Sequence, residues 1–250
     1  MKKNAMLKIA AVLLVAVLLT TCFISSTFAK YVTEGVSGSS DTATVADWNL
    51  SITNVADAKL FKPTFTTTDG KILANINGSD QVLAPGTKNA DSEFGVTISG
   101  KPEVAFAIYA YVDVALENWK LEDNSEYCPV VFTVNDVAQT AEVITDVAAY
   151  EVTVEKAIAA AILGVQVSAL KTTTKNIGGE DKTVYYAEYE ANTDLTNAKA
   201  IEANVEWEWK FEGLTGQTDK KDTELGNAGT KATAEVDYTV FAEQIASFSA

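Results

Sequence analysis

The sequence predicts a mainly β protein, an antiparallel β-sandwich with one amphipathic helix packed on it. Three observations carry this. In "PEVAFAIYAYVDVAL", Val104, Phe106, Ile108, Ala110, Val112 and Val114 share one face, while Glu103, Tyr109, Tyr111 and Asp113 share the other. In "IEANVEWEWKFEG", Ala203, Val205, Trp207, Trp209 and Phe211 alternate with Glu202, Asn204, Glu206, Glu208, Lys210 and Glu212. A period of two with one charged face means a sheet set on a core and wetted outside. Short segments of this kind return along the chain between turn signals, and only one stretch breaks the rhythm.

The elements follow in order. Lys2, Lys3 and Lys8 precede an unbroken apolar run, Ile9 to Leu19, and a small-residue exit places Thr27 and Ala29 at the −3 and −1 positions of a cut before Lys30. That is the order of a secretory signal peptide. Three outcomes are open: cleavage after Ala29, which the layout favours, a retained anchor over Ile9–Phe28, or lipidation at Cys22, where Thr21 is a poor match. The expected organisation is a signal at 1–29, an N-terminal segment and leash at 30–41, and one sandwich domain at 42–250. Within the leash, "GVSGSSD" (Gly35–Asp41) reads as flexible chain.

Weaker alternation predicts strands over Thr44–Ile52, Phe94–Ser99, Pro129–Asn135 and Ala232–Phe241. Val165–Thr174 and Thr183–Glu190 form a hairpin about Gly178–Gly179. Between them, about 146–163, Val147, Tyr150, Val154, Ala157, Ile158 and Ala161 recur at helical spacing, with Thr145 or Asp146 to cap and Gly164 to end the helix. It is expected to lie over an end or face of the sandwich. Gly213–Thr230 reads as a polar loop with a single helical turn near Asp222–Leu225.

Charge and residue inventory narrow the function classes. The chain has 19 Lys+Arg, all of them lysine, 34 Asp+Glu and no histidine, for a net charge of −15. Loss of the three lysines in the leader takes this to −18. Such a surface repels phosphate backbones and excludes nucleic acid as a partner. Without histidine, a Ser-His-Asp triad, a Cys-His pair and an HExxH zinc site are all excluded. Only Cys128 remains after cleavage, so no intrachain disulfide forms; the reading is a small buried hydrophobe, with an intermolecular disulfide as the other.

Carboxylates are plentiful, and a glycosidase pair is formally open. Glu206 and Glu208 on a strand, and Asp219, Asp222 and Glu224 in the loop, are read as solvated charges. The last three also make a speculative calcium set, without EF-hand spacing; otherwise no metal or cofactor is expected. Trp207 and Trp209 are read as core. Tyr109 and Tyr111 project from the charged face as a candidate ligand or glycan surface, set against the plainer expectation that the helix or a loop covers them.

The leader ending in "STFAKYVTEG", the leash, and "TATVADWNLSIT" together resemble the front end of secreted Gram-positive proteins of the TasA/camelysin type, processed by a SipW-type signal peptidase. Further on, "LAPGTKNADSEFGVTISGKPEV", "YCPVVFTVN", "VEWEWKFEG" and "DTELGNA" look like segments of related clostridial surface proteins. The resemblance implies a jelly-roll domain in a cell-surface or biofilm-matrix fibre. It also implies self-assembly in which a mature N-terminal segment pairs with the sheet of the next subunit. Here that donor would be Lys30, Tyr31, Val32, Thr33 and Glu34, or would include Thr42–Ile52. Membrane contact is expected only through an uncleaved signal. One departure matters: camelysins are described as metalloproteases, and a chain without histidine lacks a usual zinc site. The expectation is a self-assembling, non-enzymatic surface protein, with a monomeric glycan-binding module as the alternative and a glycosidase as a distant third.

Overall fold

The computed structural model describes residues 45–54, 60–61, 63–65, 83–89 and 95–246. The predicted signal residues Thr27 and Ala29 and the donor Lys30–Glu34 lie outside them. The chain divides into Met1–Asp47 and Trp48–Ala250, and every element below belongs to the second unit.

Eleven strands and two α-helices are described: β1 (Leu50–Asn54), β2 (Pro63–Phe65), β3 (Thr87–Asn89), β4 (Gly95–Gly100), β5 (Phe106–Glu117), β6 (Val130–Val134), β7 (Val137–Ala138), α1 (Val147–Ile162), β8 (Lys171–Ile177), β9 (Glu180–Tyr189), β10 (Ile201–Trp209), α2 (Asp219–Asn227) and β11 (Thr233–Gln244). They make an antiparallel sandwich. One sheet runs β1-β4-β10-β3-β2, with β6 also on β10 and β7 on β6; the other runs β11-β5-β9-β8. Consecutive strands repeatedly cross from one sheet to the other, as a jelly-roll-like sandwich requires.

The alternation read from the sequence sets the faces. Phe106, Ile108, Ala110, Val112, Val114 and Leu116 of β5 and Ala203, Val205, Trp207 and Trp209 of β10 are buried in one core. Each large apolar side chain so buried contributes about 1.5–3 kcal/mol. Trp207 anchors its ring by donating Nε1–H to the Leu60 carbonyl at 2.6 Å. β10 ends at Trp209, so Phe211 leaves the alternation and is 52% exposed, contrary to its expected core position.

Helix α1 starts as the sequence predicts, with the Asp146 carboxylate accepting from Ala149 N at 3.0 Å. It ends in a Schellman turn: Gly164 N and Val165 N donate to the Ala161 and Ala160 carbonyls. Gly164 sits at φ +60°, and a Cβ there would come within 3.0 Å of Ile201.

The helix does more than cover a face. β9 pairs with β5 only from Phe106 to Ala110. Beyond that, the Val114 and Leu116 amides point away from β11 and donate to Glu155 (3.3 Å) and Glu151 (2.6 Å) of α1. On the other sheet, Phe132 N donates to the Tyr150 hydroxyl at 2.9 Å, and that hydroxyl donates to the Val130 carbonyl. Side chains of α1 thus replace a missing strand on both sheets and close the sandwich along this side.

Three further differences from expectation have local causes. The polar loop holds a nine-residue helix, α2, capped by Thr218 and anchored by Leu225 and Asp222. Val167–Ala169 forms a 3-10 turn, so the hairpin begins at Lys171. Its two-residue turn is Gly178–Gly179, both at positive φ, the type I′ geometry that fits strand twist. No helix among the described residues is long and apolar enough to cross a membrane.

Candidate functional site

The side of the sandwich opposite in character to α1 is the outer edge of β11. β11 pairs with β5 without a slip, from Thr233↔Glu117 to Gln244↔Phe106. Just past the strand, Ile245 N donates to the Ala105 carbonyl, which fixes the phase of the ladder. Odd-numbered residues of β11 therefore bond to β5. The N–H and C=O groups of Ala234, Val236, Tyr238, Val240, Ala242 and Gln244 point outward. Among the described residues no strand pairs there. The side chains of Ala234, Tyr238, Val240 and Ala242 are only half-buried on the core side. A twelve-residue edge with no proline and no bulge is a ready template for an added strand.

The outward face of the same sheet carries the candidate ligand residues. Tyr109 on β5 is buried between Tyr186 of β9 (centroids 5.8 Å) and Phe241 of β11 (5.1 Å), with planes 26° and 15° apart. Rings this close and this parallel overlap face to face, since rings lying side by side need about 7 Å. Among the described residues, Tyr109 is covered by its cross-strand neighbours rather than by the helix or a loop. Lys175 of β8 sits 4.1 Å from the Tyr109 ring centre and pairs with Glu243 of β11 at 2.5 Å, spanning the ladder. That bond raises the Lys175 ammonium above its ordinary value. Tyr111 is half-buried with Lys182 at 5.9 Å, and burial, then the Asp113 charge, push its phenol up. The arrangement rigidifies the sheet; it leaves no open face of Tyr109 for a sugar to stack on.

The speculative calcium residues do not converge. Asp222 is buried and accepts from the Tyr127 hydroxyl and from Gln217 Nε2. Burial, then the hydrogen bond to Asp222, raises the Tyr127 phenol. Glu224 instead accepts from Glu122 N at 2.7 Å. Among the described residues no three metal-ligating side chains come together. Glu206 and Glu208 are half-buried on β10, in register with Thr133 and Val131 of β6.

Cys128 is fully buried, and burial pushes its thiol up to about 12. Such a group is not a nucleophile near neutral pH. Reading the sequence missed Glu151, Glu155 and Tyr150 as edge closers. The only available signal was carboxylates on a helix flank that packing would otherwise leave apolar. It also missed the partners of Tyr109, because Tyr186 and Phe241 meet it only through non-local pairing. Comparison of the chain with family models, with curated proteins and with solved structures found no match.

Proposed function

We propose that the chain is an exported surface or matrix subunit that assembles into fibres by strand addition, and that it is not an enzyme. The observation that carries this is the outer edge of β11, where Ala234, Val236, Val240, Ala242 and Gln244 present outward amides and carbonyls beside a half-open core and where, among the described residues, no strand pairs. The N-terminal segment Lys30–Glu34, delivered by the Gly35–Asp41 leash, is the donor this reading names. Exposed Glu235 and Asp237 on β11 disfavour two copies joining edge to edge and favour a donor that brings Lys30. Glycan binding through Tyr109 and Tyr111 draws less support, because the Tyr109 ring faces are taken up by its neighbours.

The test is negative-stain microscopy with sedimentation of residues 30–250, at neutral pH and after mild acidification or added calcium. Protonating or screening the carboxylates lowers the repulsion between strongly acidic subunits. Filaments should form and should be lost on deleting 30–41. They should be lost also in Ala242→Pro, which removes an outward amide but no bond to β5. Monomers under every condition would defeat the reading.

A further inference from the structure

At its start, the β11 edge borders a pocket of about 600 Å³, ample for one large side chain. Phe61 and Leu83, from the flanks of β2 and β3, line it together with Ala234 of β11 and exposed Lys231, so it lies between the two sheets. Trp119 and Trp209 touch edge to face at 5.8 Å and are almost wholly buried, and they close its floor.

Ala234 decides what can enter. Its side chain packs toward the core while its N–H and C=O point outward. A residue paired with it on an added strand sets its own side chain on the same side of the sheet, with the two Cβ atoms about 4.5–5.5 Å apart. Ala232 and Ala234 are small, so that side chain meets the pocket. Backbone bonds give an added strand its affinity, and pockets for alternate side chains give it specificity.

The pocket suits a large apolar side chain with a polar tip. Lys231 donates one N–H to the Gly226 carbonyl at 2.5 Å, which leaves two ammonium protons for another acceptor. Tyrosine meets both demands, with an apolar ring and a hydroxyl that can accept at the rim. In the donor segment Lys30–Glu34, Tyr31 is the one aromatic residue. Side chains alternate along a strand, so Tyr31 pointing inward turns Lys30 out, onto the face that carries exposed Glu235 and Asp237. The opposite phase would carry the charges of Lys30 and Glu34 in between the sheets, which costs desolvation.

We infer that this is the specificity pocket of the assembly edge and that it takes Tyr31 of a second copy of the chain. The inference rests on the strand-addition reading and goes further by naming the side chain that selects the donor.

The experiment measures the critical concentration for filaments of residues 30–250 by sedimentation, for wild type and variants. Tyr31→Ala should raise it at least about tenfold, the size expected for one buried aromatic side chain. Tyr31→Phe, which keeps the ring, should stay within about threefold, and Val32→Ala, on the outward face, within about twofold. Ala232→Trp, which fills the pocket from its lining, should abolish assembly while leaving the circular dichroism unchanged. The Tyr31 variants lie outside the sandwich and keep the test sound even where Ala232→Trp fails to fold. Filaments that need residues 30–41 yet tolerate Tyr31→Ala within about twofold would overturn this inference and leave strand addition standing. A folded Ala232→Trp that assembles like wild type would do the same. No wild-type filaments, or filaments that survive deletion of 30–41, would overturn both.

Discussion

The two long sides of the sandwich solve the same problem in opposite ways. Where β9 leaves β5 unpaired, α1 supplies Glu151 and Glu155 to the strand amides, and Tyr150 does the same for β6. Where β5 is covered by β11, the covering strand becomes the new edge, and no described strand covers it in turn. Edges are a liability because their amides and carbonyls seek partners. One side is blunted within the chain. The other carries no paired strand among the described residues, and that asymmetry is what the assembly proposal rests on.

The comparison can be broken from either side. The largest effect is expected for Ile158→Ala, a fully buried position on the core face of α1, at about 2–5 kcal/mol in urea unfolding. Next come two prolines on β11. Thr239→Pro removes an amide that bonds to β5 and should cost about 3 kcal/mol; Ala242→Pro removes an outward amide and should cost well under half of that. Equal costs would mean that the phase of the edge is wrong. Glu151→Ala and Glu155→Ala should each cost about 1–3 kcal/mol by leaving a strand amide without an acceptor.

A smaller effect concerns pH. Burial, with Asp113 and Glu151 nearby, raises the Glu155 carboxyl above its ordinary value of 4.5. The folded state therefore holds this proton more tightly than the unfolded chain does. Its contribution is fully present below the ordinary glutamate value and is lost as pH rises through the raised one. Wild type should gain stability relative to Glu155→Gln on acidification through that window, and parallel pH profiles would contradict it. The smallest effect is a silence: Cys128, beside the closed side at its bridge to Ile144, should resist thiol reagents until the protein unfolds. Rapid modification of the native protein would show that this side opens.

Much of the sandwich was legible because alternation is a local property. The faces of β5 and β10, the cap at Asp146 and the stop at Gly164 all follow from residues within a few positions of one another. Phe211 broke the pattern because alternation does not say where a ladder ends. α2 was shortened to one turn because its Asp- and Lys-rich sequence has few apolar positions, and Leu225 becomes an anchor only once the core is built. The outer edge of β11 was out of reach for the same reason. It is defined by sheet order, which joins strands far apart in the chain.

The bond from the Trp119 indole to the Thr233 carbonyl spans 114 residues and fastens the start of the longest strand pair among the described residues. A sheet whose longest pairing joins such distant segments has a high contact order and gains little until the loop between them closes. Folding should therefore be slow, on the order of milliseconds to seconds, by the trend for such topologies. Until β11 docks, β5 lacks its full-length neighbour and the four-stranded sheet stays incomplete. The strand that forms the outer edge of the finished sheet is thus also the one whose arrival paces its formation.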